Sequence, residues 1–188
     1  MVSDLLDKLR SLNARKIFTK VSDYEDPDEG KIYERALKTY KSLGFEEEVI
    51  SHEFYDEEEN QIILGFHLRQ EDNSFSEEEL KIAEEKPIIR FDGLYEISET
   101  EGAYAFSWVV KDTKKLFGKR NFTEEDLRIG LESVKNNGGR KTFLTFPSNL
   151  PLIHKPLQAA GFKYVGRLEN YYEQGVHEFH FTHDLNNL

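Results

Sequence analysis

The stretch Ala36-Leu37-Lys38-Thr39-Tyr40-Lys41-Ser42-Leu43-Gly44-Phe45 decides how the rest of the chain is read. Ala36, Leu37, Tyr40 and Leu43 recur at helical spacing, and Gly44 is placed to take the left-handed backbone that ends a helix. A second version stands near the C-terminus as Leu157-Gln158-Ala159-Ala160-Gly161-Phe162. Each Gly-Phe precedes a predicted long strand with an aromatic pair, Phe54-Tyr55 in the first and Tyr171-Tyr172 in the second. One sequence separation relates Gly44 to Gly161 and Tyr55 to Tyr172. A helix, a Gly-Phe stop and an aromatic strand, met twice at one separation, point to an internal duplication. Chance similarity between two α/β segments is the alternative.

Outward from this motif, hydrophobic periodicity predicts helices over 3–12 and 31–43, a strand over 15–21, and a loop over 22–30 rich in Asp, Glu, Pro and Gly. Segments 47–56 and 61–68 form a predicted hairpin across the acidic turn Asp56-Glu57-Glu58-Glu59-Asn60. Gln70-Glu71-Asp72-Asn73-Ser74 reads as a linker. Ser76-Glu77-Glu78-Glu79 reads as a capping box that starts a short helix. Strands follow over 86–97 and 103–111. Thr123 caps a helix to about 134, which stops at Asn136-Asn137-Gly138-Gly139. Then come a strand over 141–146, a helix over 150–160 distorted by Pro156, and a last hairpin of 164–173 and 176–183. The implied division is a first half over 1–69, a linker with a short helix over 70–86, and a second half with two extra strands over 87–188. The copies themselves span 3–68 and 123–185.

The chain has 188 residues, of which 38% are hydrophobic, enough for one core or two small packed ones. Fourteen Phe and nine Tyr carry much of it, so buried hydroxyls need partners. A net charge of −11 argues against nucleic acid and anionic membrane surfaces, since phosphate binding needs clustered Lys and Arg. It would attract a cationic amine, although a solvated acidic face explains it as well. Without cysteine, disulfides, thiol catalysis and Cys-type zinc sites are excluded. No membrane span or signal peptide is legible, and the expected location is the cytoplasm.

The pattern Ala-x-x-x-Tyr-x-x-x-Gly-Phe, followed by a strand with an aromatic pair and a final strand, resembles the C-terminal half of the GNAT acyl-CoA N-acyltransferases. The resemblance implies an α/β fold: a mixed twisted sheet flanked by helices, here in two half-domains. It implies transfer of an acyl group from coenzyme A, with acetyl-CoA the expected donor, to a small-molecule or peptide amine. No metal is implied, and a homodimer is compatible with it. It makes Tyr40 the candidate acid that reprotonates the leaving thiolate; a core aromatic on an amphipathic helix is the alternative. The matching position in the second copy is Leu157.

The family's phosphate loop has a loose counterpart in the second copy, where Lys115, Gly118, Lys119 and Arg120 stand in the only dense basic cluster of the chain. Arg120 stands where a small residue is wanted, and Glu124, Glu125 and Asp126 behind it would repel a pyrophosphate. The alternative is a solvent-facing loop that balances these acids. Val109 and Val110, on the strand before the loop, are the implied partners of the pantetheine arm. Asn149, after Ser148 at a polar strand end, is an implied cofactor contact; a helix cap explains either residue as well. A catalytically degenerate GNAT-like binding or scaffold protein is the alternative function.

The histidines carry less. His177, His180 and His183 cannot face one metal from one strand, because alternate residues point to opposite faces. His52 and His67 are expected to be cross-strand neighbours. A general base there is one reading and satisfied surface histidines the other.

Overall fold

The structure, a computed structural model, describes residues 2–68, 88–111, 123–150 and 153–185. The first part contains α1 (Val2–Ser11), β1 (Lys16–Ser22), α2 (Glu34–Ser42), β2 (Glu46–Ser51) and β3 (Gln61–His67). The second contains β4 (Ile88–Glu96), β5 (Ala103–Lys111), α3 (Glu124–Asn136), β6 (Lys141–Pro147), α4 (His154–Ala159), β7 (Lys163–Glu173) and β8 (Val176–Asp184). The strands make two twisted sheets flanked by helices, in the orders β1-β3-β2 and β4-β5-β6-β8-β7. Among the described residues only β5 and β6 pair in parallel. The expected α/β class with a mixed sheet is therefore the observed one. The linker over 70–86, with its predicted helix over 76–83, falls outside the described residues.

The run α1-β1-α2-β2-β3 matches α3-β6-α4-β7-β8 in element order, and β1-β3-β2 matches β6-β8-β7 in sheet order. The helix stops agree in detail. Gly44 and Gly161 take φ of 93° and 86°. The Gly44 N–H donates to the Lys41 carbonyl and Phe45 N–H to that of Tyr40; Gly161 and Phe162 do the same to Gln158 and Leu157. A β-carbon on Gly44 would meet the Phe66 ring at 3.2 Å, and one on Gly161 the His183 ring at 3.1 Å. Phe45 and Phe162 then turn inward as buried core residues.

The sheets carry separate cores. Val21, Phe45, Ile62 and Leu64, with Tyr40 and Phe66 against them, fill the first. Leu127, Leu131, Val134, Leu144, Phe146 and Leu157 head the second, under α3 and α4. Thr123 caps α3 as expected and forms a reciprocal box with Asp126 that the sequence reading did not include. Gly130 lets α3 approach β5 closely, since a β-carbon there would lie 2.4 Å from the Phe106 ring. α4 begins at His154, later than predicted. Pro156 sits in its first turn, where its missing N–H costs no helical bond.

Two expectations fail in the first hairpin. β2 stops at Ser51, so Phe54 and Tyr55 do not lie on a strand. Glu53 takes φ of 52°, its N–H donates to Asn60 Oδ1 at 2.8 Å, and the chain leaves the ladder. His52 and His67 are not cross-strand neighbours either: Ser51 faces Gln61, while His67 pairs with Lys16 at the other end of β3. The counterpart, β7, keeps Tyr171 and Tyr172 within the strand but has the same kink. Asn170 takes φ of 53°, and its N–H donates to His177 Nδ1 at 3.0 Å. The aromatic pairs have nearly one geometry, with ring centroids 5.0 Å apart and interplanar angles of 78° for Phe54–Tyr55 and 80° for Tyr171–Tyr172.

The halves meet through reciprocal contacts. Arg15 donates to the Asn170 carbonyl at 2.7 Å, and Arg140 donates to the Glu53 carbonyl at 2.6 Å. Phe18 packs on Tyr171 at 5.2 Å, and Phe143 on Phe54 at 4.8 Å. Each contact joins the start of one half's first strand to the kink of the other half. Between them β2 lies against β7, where Gly166 brings its backbone close to Glu48 and Val49. The Lys16 ammonium, nearly fully buried, sits 2.5 Å from Glu48 and donates to the Glu169 carbonyl. Burying this cation is tolerable only with such partners.

Candidate functional site: the opening between β5 and β6

The site begins with a broken ladder. β5 runs nine residues and β6 seven, yet they pair only at Ala103–Lys141, Tyr104–Thr142 and Ala105–Phe143. β4 continues alongside β5 to Lys111, and β8 alongside β6 to Pro147. Each strand is thus held on its outer side while the inner sides part. A parted parallel pair leaves main-chain N–H and C=O groups without ladder partners, and an extended ligand can take their place.

Val109 lies on β5 beyond the last parallel pair, and Val110 follows it, paired by its backbone to Ile89. Asn149 is exposed just past the end of β6. Ser148 is occupied: its N–H donates to the His177 carbonyl at 2.8 Å, and its hydroxyl accepts from the His177 N–H at 3.0 Å. Neither residue caps α4, whose cap position is Ile153 without a side-chain bond. Lys115, Gly118, Lys119 and Arg120 lie outside the described residues.

The start of α3 is partly taken by its own side chains. The Asp126 N–H donates to Thr123 Oγ1 at 3.3 Å, and Asp126 Oδ2 accepts from the Thr123 N–H at 2.9 Å. Glu124 pairs with Arg128 at 2.8 Å. These contacts satisfy donors that a phosphate would otherwise use.

Tyr40 is elsewhere. Its ring stands edge-on to Phe45 at 5.2 Å in the first core. The sheet orders place β2, β7, β8 and β6 between that core and β5. Its counterpart Leu157 is fully buried in the second core. Val109 and Val110 lie on β5 beyond its last pair with β6, Asn149 lies past the end of β6, and Tyr40 lies apart in the first core.

Three further features bear on chemistry. A cleft of about 510 Å³ lies at the end of β1 in the first half, with Asp23, Glu25, Glu34, Asp56, Glu58 and Glu59 outnumbering Lys31. The Tyr172 hydroxyl donates to Glu178 at 3.0 Å; burial first, then the Glu178 charge, pushes its pKa far above the ordinary phenol value. His177 is pushed below the usual histidine range by burial first and then by the Arg167 charge. Among the described residues no group of His, Asp and Glu could hold a metal, and no helix is long and apolar enough to cross a membrane.

Several structural residues escaped the sequence reading: Arg15 and Arg140, Lys16 with Glu48, Lys141, and Trp108. A signal was present for most of them. Both matched strands open on Arg-Lys, as Arg15-Lys16 and Arg140-Lys141, and Trp108 is the sole tryptophan. Lys141 is buried and pairs with both Glu53 and Asp184 at 2.9 Å.

No protein-family model and no curated protein matches the sequence. Solved structures do. A GNAT-family protein from Desulfovibrio desulfuricans is 18% identical over 49% of this chain and 59% of its own, with a TM-score of 0.40. An acetyltransferase of the GNAT family from Bacillus anthracis is 15% identical over 52% and 57%, with a TM-score of 0.38. A Salmonella typhimurium protein of the acetyltransferase class, solved with acetyl-CoA, is 9% identical over 87% and 79%, with a TM-score of 0.39. The chain thus spans less than two thirds of the length of the first two. All three scores mark partial likeness, and the functional reading rests on the chain's own strands and residues.

Proposed function

We propose that the second half binds an acyl-coenzyme A, acetyl-CoA being the expected donor, and transfers its acyl group to an amine. The observation that carries this is the opening between β5 and β6 after Ala105 and Phe143, with Val109 and Val110 on one side and Asn149 at the far end. An extended arm with amide groups suits such an opening. Lys115, Gly118, Lys119 and Arg120, next along the chain, supply positive charge for its phosphates. The transfer forms an amide C–N bond, breaks the thioester C–S bond, and moves the amine proton by way of a base to the departing thiolate. The proposal includes the origin of the fold: two copies of one half-domain, supported by matched helix stops, kinks and reciprocal contacts.

A second reading, binding without catalysis, has its own support. The acid position of the second copy holds Leu157, and Tyr40 lies in the other core. Calorimetric titration of the full chain with acetyl-CoA tests the cofactor reading, with Lys119→Ala/Arg120→Ala locating the phosphates. Saturable binding, weakened in the double variant, is expected. Absence of binding would remove the transferase reading. Binding without thioester turnover over a panel of amines would favour the second.

A further inference from the structure

We infer that Trp108 occupies the opening between β5 and β6 as an internal stand-in for the ligand, so that an acyl-coenzyme A enters only as the indole leaves. The inference rests on the cofactor reading above. Trp108 lies on β5 three residues past the last parallel pair, where the two backbones have already parted. Its indole N–H spans the gap and donates to the main-chain carbonyl of Thr145 on β6 at 2.7 Å. Its ring stacks on Phe146 of the same strand, with centroids 4.5 Å apart and planes at 29°.

A strand carbonyl that has lost its ladder partner needs another donor, and a buried one left bare is costly. In this chain the donor is a side chain, which can rotate away without unpairing either strand from its outer neighbour. The amide N–H of an extended ligand arm offers Thr145 the same bond. Indole and ligand then compete for one acceptor and one apolar surface. The competition lowers apparent affinity by the fraction of molecules whose opening is free. It also shields the opening from water between ligands. The indole bond and the stacked pair together set the scale of the effect at about tenfold in affinity.

The test uses the full chain and acetyl-CoA. As the sole tryptophan, Trp108 reports its own position. Saturable binding should shift the wild-type emission to the red and increase its quenching by acrylamide as the ring leaves Phe146. Trp108→Phe keeps a stacked ring and loses the donor, so it should bind acetyl-CoA several-fold more tightly by calorimetry; Trp108→Ala should approach tenfold. Saturable binding with an unchanged tryptophan signal, and equal affinity in Trp108→Phe, would overturn the inference and leave the cofactor reading standing. Binding by neither wild type nor variants would overturn both. The fluorescence arm needs no substitution, so it stands even where Trp108→Ala fails to fold.

Discussion

The two halves of this protein share a skeleton and differ in what surrounds it. Both close a helix on a left-handed glycine and seat the next phenylalanine in a core. Both kink their next strand or turn on a residue of positive φ, Glu53 or Asn170. Yet among the described residues only the second half has β4 and β5 beside β6, and so only it shows an opening between parallel strands. Among the described residues β1 stands at the edge of its sheet, and an acid-lined cleft lies near the strand's end. The matched positions are those fixed by backbone geometry. The divergent ones, Tyr40 against Leu157 and Phe66 against His183, are side chains free to serve one half alone.

The largest contrast is expected at that first pair. Leu157 is fully buried, so Leu157→Ala should destabilise the chain by about 3 kcal/mol in denaturant unfolding. Tyr40→Phe removes one oxygen from a half-buried ring and should move stability by under about 0.5 kcal/mol. Given its place in the first core, turnover should also survive. A fall of about 10²–10⁴-fold would instead make Tyr40 the thiolate acid and the two halves one site.

The reciprocal arginines come next. Arg140 donates to the carbonyls of Glu101, Glu53 and Phe54, and Arg15 to that of Asn170. Arg140→Ala and Arg15→Ala should each cost about 2 kcal/mol in denaturant unfolding, on the scale of charge-assisted bonds to partly buried carbonyls. A difference above about 1 kcal/mol would break the reciprocity of the seam.

A closer symmetry is expected at the helix stops. Gly44→Ala and Gly161→Ala each force a left-handed β-carbon against a ring, and each should cost about 1–2 kcal/mol. A difference above about 1 kcal/mol would break the equivalence of the two caps.

The smallest effect separates the halves by pH. His183 stands where the first half has Phe66. Burial holds its pKa below the usual histidine value; the Asp184 charge opposes this and the Lys163 charge adds to it. Arg128, Glu132 and Lys135 line the shallow cavity beside it. The folded pKa is depressed, so the neutral ring's contribution is complete above the unfolded value of about 6.5 and is lost as pH falls toward the folded value. Stability should decline by under about 1 kcal/mol through that window, and His183→Phe should flatten the decline. An unchanged pH profile would place its origin at His177 or elsewhere.

Much of the fold was legible in the sequence because local rules dictate it. Helical spacing with a glycine stop, Thr123 before an acidic turn, and alternating strands closed by Gln174-Gly175 are set by neighbours along the chain. What was hidden depends on partners far away. Nothing near Phe54 announces that Glu53 will turn left-handed, because the bond that holds it comes from Asn60 across the hairpin. Nothing near Lys16 announces that its charge will be buried against Glu48. Of the candidate site, Val109, Val110 and Asn149 are expectations of the family resemblance, while Trp108 emerges only once β5 and β6 are seen to part.

The reciprocal seam between the halves has a consequence for how the chain is made. Arg15, Lys16 and Phe18 emerge in synthesis long before their partners at Glu169, Asn170 and Tyr171. Until then the Lys16 end of β1 has no cover from the second half, whatever local structure has formed. Contacts of such long sequence separation slow folding, because loop closure must come before they form. The seam should therefore lock late, and β1 would be completed only after β7 has been made.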